Sequence, residues 1–217
     1  MKNMLYKELK LAAAGISYFF LASALFTMIP GYPILMSGGF MTLGLFYSFQ
    51  AMREKHDIEY SLLLPVSKAD IVKGKYAFVL LLEGIGFVLC VILTVVRMTF
   101  LKASPVYLEN ALMGANLVYL GELLLIFGLF NAIFVRGFFK TGYYIGKPFL
   151  CYGIPLLLLI GLAEAAHHIP GLGLLNAFGT DEIEIQLISL ACGVLLFVLL
   201  TFVGIRQSVK SFEKVDL

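Results

Sequence analysis

The sequence predicts an all-α integral membrane protein of six transmembrane helices with both termini cytoplasmic. Three observations predict it. The chain is 60% hydrophobic and only 14% charged, with mean hydropathy +0.94, whereas soluble domains carry about 25% charged residues. Six apolar runs, at approximately 11–30, 33–51, 76–98, 105–135, 148–166 and 185–205, approach or exceed the about 20 residues that a bilayer core requires. With the N-terminus inside, fourteen of the sixteen Lys and Arg residues fall on the cytoplasmic side and only Arg97 and Lys102 outside, as the positive-inside rule demands. Trp is absent, so the eleven Tyr and the Phe residues must serve at the membrane interfaces.

In chain order, Met1, Met4, Leu5 and Leu9 recur at helical spacing against Lys2, Lys7 and Lys10. This predicts a short interfacial helix over 1–10. A cleavable leader ending at Ala22-Ser23-Ala24 is the rival, but the apolar run continues to Ile29, beyond the about 7–15 residues of a leader core. Pro30-Gly31-Tyr32-Pro33 turns the chain between the first two spans. The fourth run is too long for one upright helix, so it tilts or extends past the bilayer. Pro155 should bend the fifth unless neighbouring groups compensate. Residues 167–184 are apolar but too short to cross, which predicts an interfacial or re-entrant extracellular element between spans five and six.

The longest interval without a span is 53–76, and it carries five of the Lys and Arg residues. It opens with charge, reaches Leu62-Leu63-Leu64, and is broken at Pro65, whose predecessor is driven out of helical geometry. Ser67 and Asp70 then form a capping-box pattern that starts a helix running into the third span. Within this interval, Glu59-x-x-Leu62-x-x-Pro65-Val66-Ser67-Lys68, followed by Ile71-Val72 and Lys75, resembles the first cytoplasmic loop of six-span ABC-type exporter permeases, the type-2 ABC permease family. Without that resemblance, the stretch reads as an amphipathic loop with a proline corner.

The resemblance implies that 54–64 is a coupling helix, within a 53–75 coupling loop, that docks on a separately encoded ATPase. Glu54, Asp57, Ile58, Glu59, Leu62, Leu63, Leu64, Pro65 and Ser67 would form that interface. No internal repeat, linker or low-complexity segment is visible, so 1–217 reads as one permease domain. The resemblance further implies a multi-pass bacterial cytoplasmic membrane protein, paired with a second copy or a paralogue above two ATPases. ATP and Mg would be bound by the partner, with no cofactor in this chain. The short chain without a large extracellular domain is similar to exporters of amphipathic peptides, including the phenol-soluble-modulin kind.

Glu83 and Glu122 lie inside apolar spans, where a charge costs about 2.5–3.5 kcal/mol. They read either as pathway carboxylates or as buried acids bonded across helices to Asn116, Asn131 or Thr94. A proton-coupled secondary transporter using Glu83 and Glu122 is therefore the alternative reading, although the repeat symmetry of that class is not visible. Arg97 reaches the outer headgroups, with Glu109 as a candidate partner. Glu164, His167 and His168 lack a third ligand type at metal-site spacing, so no metal is expected. Cys90, Cys151 and Cys192 fit neither a disulfide framework nor a zinc site. There is no G-x-x-x-x-G-K-[ST], G-x-S-x-G or H-E-x-x-H, so the chain is expected to be non-catalytic. Its small net charge of +2 gives no reason to expect nucleic acid.

Overall fold

Helices account for the ordered elements, and among the described residues there is no strand. The computed structural model describes residues 2–12, 15–142 and 144–215. Met1 of the expected 1–10 helix, and residues 13–14 of the first expected span, lie outside them.

Helix α1 (Lys2–Lys7) continues as a π-helical turn over Glu8–Ala12. Then α2 (Gly15–Phe19) leads into a 3-10 segment over Phe20–Met28. The axes of Met4–Lys10 and Gly15–Met28 meet at 89°, so the N-terminal helix lies across the bundle rather than along it. Helix α3 (Met36–Glu54) follows, then the short α4 (Asp57–Leu62) and the long α5 (Lys68–Thr99). After α6 (Pro105–Leu108), α7 (Leu117–Leu129) passes through a π turn (Phe130–Val135) into α8 (Arg136–Thr141). Finally α9 (Gly146–Ala166) and α10 (Ile183–Phe212) complete the bundle.

Among the described residues, four stretches are long and apolar enough to cross a membrane: Lys68–Thr99, Leu117–Thr141, Gly146–Ala166 and Ile183–Phe212. The bent N-terminal pair makes a fifth if taken as one span. Helix α3 occupies the second expected span but is less apolar than those four. Its hydroxyls point inward and are satisfied there. Ser37 donates to the Ile34 carbonyl at 2.6 Å and meets the Tyr119 hydroxyl at 2.9 Å, while Thr42 meets the Tyr152 hydroxyl at 2.9 Å. Buried polar groups are tolerated when they are paired in this way.

The centre of the bundle is α7 with its π turn. In its most apolar stretch 78% of residues are buried, against 33% for α5 and 17% each for α9 and α10. Leu150, Ile154, Leu158 and Leu162 on α9, and Leu195, Val198 and Phe202 on α10, remain exposed and form a surface suited to lipid. The inner half of the core is aromatic. Phe134 packs against Phe49 at 5.2 Å and Phe130 at 4.8 Å, and Phe130 meets Tyr152 at 5.2 Å, separations at which ring quadrupoles attract.

The 105–135 run is not one helix. A fresh start occurs at Asn116, whose side chain accepts from the Tyr119 amide at 3.0 Å, so residues 109–116 form a loop at the bundle end. That loop holds the 167–184 segment: Asn116 donates to the Leu175 carbonyl at 2.9 Å, and the Gly114 amide donates to Asn176 Oδ1 at 2.6 Å. The expected extracellular element is thus a run of turns with a 3-10 turn at Gly173–Asn176, laid across the helix ends rather than re-entering between them. The expected bend at Pro155 does not interrupt helix α9. Arg97 does not pair with Glu109. It donates to the Thr27 carbonyl at 2.8 Å and lies 4.2 Å from the Tyr107 ring, two neutral partners within reach of its side chain.

The contact between α7 and α10 depends on glycine. A Cβ on Gly193 would sit 2.4 Å from the Gly121 carbonyl oxygen and 2.5 Å from its Cα. Such backbone approach is how membrane helices associate when burial from water offers little. Gly193→Ala is expected to force α7 and α10 apart and cost about 1–3 kcal/mol. Gly84→Ala meets open space and should be neutral or stabilising by about 0.5–1 kcal/mol. Thermal unfolding in detergent distinguishes the two.

Candidate functional site

The basic end of the bundle is built around α4. His56 enters it in a left-handed conformation (φ 51°), and Pro65 and the Ser67 cap close it. Both bonds of the capping box are present: the Asp70 amide donates to Ser67 Oγ at 3.1 Å, and the Ser67 amide donates to Asp70 Oδ2 at 3.4 Å. Helix α4 has only six residues, too few to be stable alone. Its inward face fixes it.

On that face Asp57 and Ile58 are buried, together with Ser61. Asp57 pairs with Lys7 at 2.7 Å and with Lys75. Lys75 is fully buried and also pairs with Glu8, itself fully buried. Lys7 closes the cluster by reaching Glu8 at 3.2 Å and Ser61 Oγ at 2.6 Å. Two lysines and two carboxylates from α1, its π turn, α4 and α5 thus neutralise one another. Burial pushes the Asp57 carboxyl up, but the charge of Lys75 and the hydrogen bonds from Lys7 and Lys75 together outweigh it, holding the carboxyl below the usual aspartate range.

The outward face of α4 is a different surface. Tyr60 is 66% exposed, Leu63 82% and Leu64 46%. Beside them Glu54 accepts from Gln50 at 3.0 Å and Glu59 pairs with His56 at 3.0 Å, both carboxylates in solvent. A cleft of about 400 Å³ opens along Met52, Arg53, His56, Glu59, Phe138 and Gly142.

Within the membrane, Asn131 donates to Glu83 Oε2 at 2.9 Å and to Thr201 Oγ1 at 3.2 Å. At the π turn the Asn131 carbonyl accepts from the Tyr76 hydroxyl at 2.9 Å, and Tyr76 meets Ser208 at 3.0 Å. This joins α5, α7 and α10 through polar contacts. No described Lys, Arg or His pairs with Glu83. Glu122 is not part of this group. It lies nine positions before Asn131 in the chain, about 13 Å along the helix, with no hydrogen-bond partner on Oε2. No described group of three or more His, Cys, Asp or Glu residues has metal-site geometry.

Residues 3–213 match the family described as ABC-2 family transporter protein. The chain belongs to the ABC-2 transporter family. Neither a curated protein nor a solved structure matches it. An ABC-2 protein is the membrane component of an ABC-type transporter, and members of the family normally work with an ATPase subunit.

The structure sorts the expected interface of this ABC-2 chain into two sets. Glu54, Glu59, Leu63, Leu64, Pro65 and Ser67 are exposed, with Ser67 serving as a cap. Asp57 and Ile58 are buried and Leu62 packs against the core, because the four-charge cluster draws that face inward. Asp57 is therefore not a rim residue. Of the intramembrane candidates, Glu83 and Asn131 meet, while Asn116 caps α7 at the far end and Glu122 stands apart.

Sequence reasoning passed over Glu8, and it took Lys7 only as part of an interfacial helix and Lys68 and Lys75 only as parts of the loop motif. Lys75 falls on the buried helical stripe of Ile71, Val72, Tyr76, Val79 and Leu82, a signal that could have found it. Lys68, read as part of the docking motif, instead donates to the Val215 carbonyl at 2.6 Å and lies over Phe212, capping the end of the last helix.

A carboxyl held below its unfolded value contributes stability above the ordinary aspartate value of about 4, and that contribution is lost as pH falls through the folded value. The melting temperature of the purified chain should therefore owe nothing to Asp57 titration between about pH 6 and pH 8, and fall below about pH 4. Asp57→Asn, less stable above about pH 4, should lack that acid step in a pH series of thermal melts.

Proposed function

We propose that this chain is the permease subunit of an ATP-driven exporter, with α4 as the helix that couples it to a separate ATPase. In this reading both termini and α4 lie in the cytoplasm. The bent N-terminal segment and α3 supply the first two of six crossings. Two copies, or one with a paralogue, enclose the pathway above two ATPases that bind ATP and Mg. Amphipathic peptides are the substrate class.

The observation that carries this reading is the exposed apolar pad of Tyr60, Leu63 and Leu64 at the basic end. Contiguous exposed apolar residues outside the lipid-facing surface mark a partner, and a pad on a helix fastened from behind can transmit force. Fourteen Lys and Arg residues placed on one side by six crossings support the orientation. A proton-driven route through Glu83 and Glu122 gains no support from their placement, since Glu122 lies about 13 Å along the helix from Asn131, the partner of Glu83.

Co-purification in mild detergent with the ATPase of the same transporter tests the reading. Leu63→Asp should reduce bound ATPase by about tenfold or more, because it places a charge in a desolvated contact. Glu59→Lys, at the rim, should slow or misalign docking while leaving the bundle folded. Wild-type ATPase binding and transport in both variants would remove the docking role of α4.

A further inference from the structure

The buried cluster has a geometry that the docking role alone does not require. A docking helix needs an apolar pad and a stiff backbone. Here its inward residues reach two separate parts of the molecule. Asp57 bonds Lys75 of α5 and Lys7 of α1, and Ser61 accepts from Lys7 at 2.6 Å while donating to the Asp57 carbonyl at 2.6 Å. Glu8 then joins Lys75 to the N-terminal segment from the other side. The approach is close in the backbone too. A Cβ on Gly74 would lie 3.0 Å from Met4 Cβ, so α1 is seated directly on the foot of α5.

We propose, building on the docking reading, that Glu8 and Lys75 are positioning residues of the transport cycle: with Lys7 and Asp57 they join α1, α4 and the foot of α5 into one rigid body. Displacement of the pad by the ATPase then moves α5 and the N-terminal segment together. Charge chemistry suits the task better than apolar packing would. Apolar contacts slide, whereas a lysine held between two carboxylates resists both translation and rotation, and separating a buried pair leaves charges without compensation. The four residues sum to zero charge, so the body can move relative to the other helices without exposing a net charge to lipid. None of Lys7, Glu8 and Lys75 belongs to the exposed pad, so their role can be separated from docking.

The test uses the permease–ATPase complex in proteoliposomes, with Cys90, Cys151 and Cys192 replaced. Spin labels are placed at Phe100, at the far end of α5, and at Leu162, at the far end of α9, both exposed. Native-cluster complexes should show a shift in the Phe100–Leu162 separation on trapping with MgATP and vanadate. Glu8→Gln/Lys75→Met removes one charge of each sign and leaves the Lys7–Asp57 pair. It should retain bound ATPase but lose the shift. Lys7→Gln/Asp57→Asn, which keeps the Glu8–Lys75 pair, is the second variant if the first does not fold, with the same loss expected. Lys75→Arg should keep the shift, since the charge is retained. An unchanged shift in a double variant that still binds ATPase overturns the proposal. Absence of ATPase from the native complex overturns the docking reading instead, and this one with it.

Discussion

A lysine ammonium with no access to solvent, held between Glu8 and Asp57, is the constraint on which the basic end of this protein depends. Each of its partners comes from a different element, and each element is weak without it. Helix α4 is six residues long, enters through a left-handed His56 and leaves through a proline corner. Helix α1 lies across the bundle and packs on α5 where Gly74 admits Met4. A buried cluster of this kind is not chiefly a source of stability, because desolvation offsets much of the attraction. Its consequence is a single arrangement: Asp57 and Ser61 turned in, and Tyr60, Leu63 and Leu64 turned out.

The membrane part follows a different rule. Lipid tails are as apolar as leucine, so the helices associate through close backbone contact and paired polar groups. Gly121 against Gly193, and Asn131 between Glu83 and Thr201, supply one of each. The same logic explains α3, which carries inward hydroxyls that find tyrosine partners, while α9 and α10 spread large apolar side chains outward. The ABC-2 chain, matched to its family over residues 3–213, is thus a bundle in which one end is fastened by charge and the middle by glycine and amide.

Local signals in the sequence were legible. The Ser67–Asp70 box starts α5 where its spacing placed it, the proline corner follows α4, and four of the six apolar runs contain helices long and apolar enough to cross a membrane. Asn131 was already a candidate partner of Glu83. What the sequence withheld were pairings between distant residues. Glu8 and Lys75 stand 67 positions apart, and no periodicity encodes which lysine a given carboxylate will meet. Asp57 consequently read as a docking-interface residue, and Arg97 as a partner of Glu109 rather than of the Thr27 carbonyl. The division of the 105–135 run was available in principle, since Gly114-Ala115-Asn116 is loop and cap chemistry, but the apolar average across it concealed the break.

If the cluster governs this end of the molecule, its members must be energetically coupled. The direct measurement is a double-mutant cycle on Glu8→Gln and Lys75→Met, read by reversible unfolding in mixed micelles. Each single change leaves a buried charge uncompensated and should cost about 3–5 kcal/mol, while the double change removes both charges and should cost well under the sum. Costs that add to within about 0.5 kcal/mol would contradict the account.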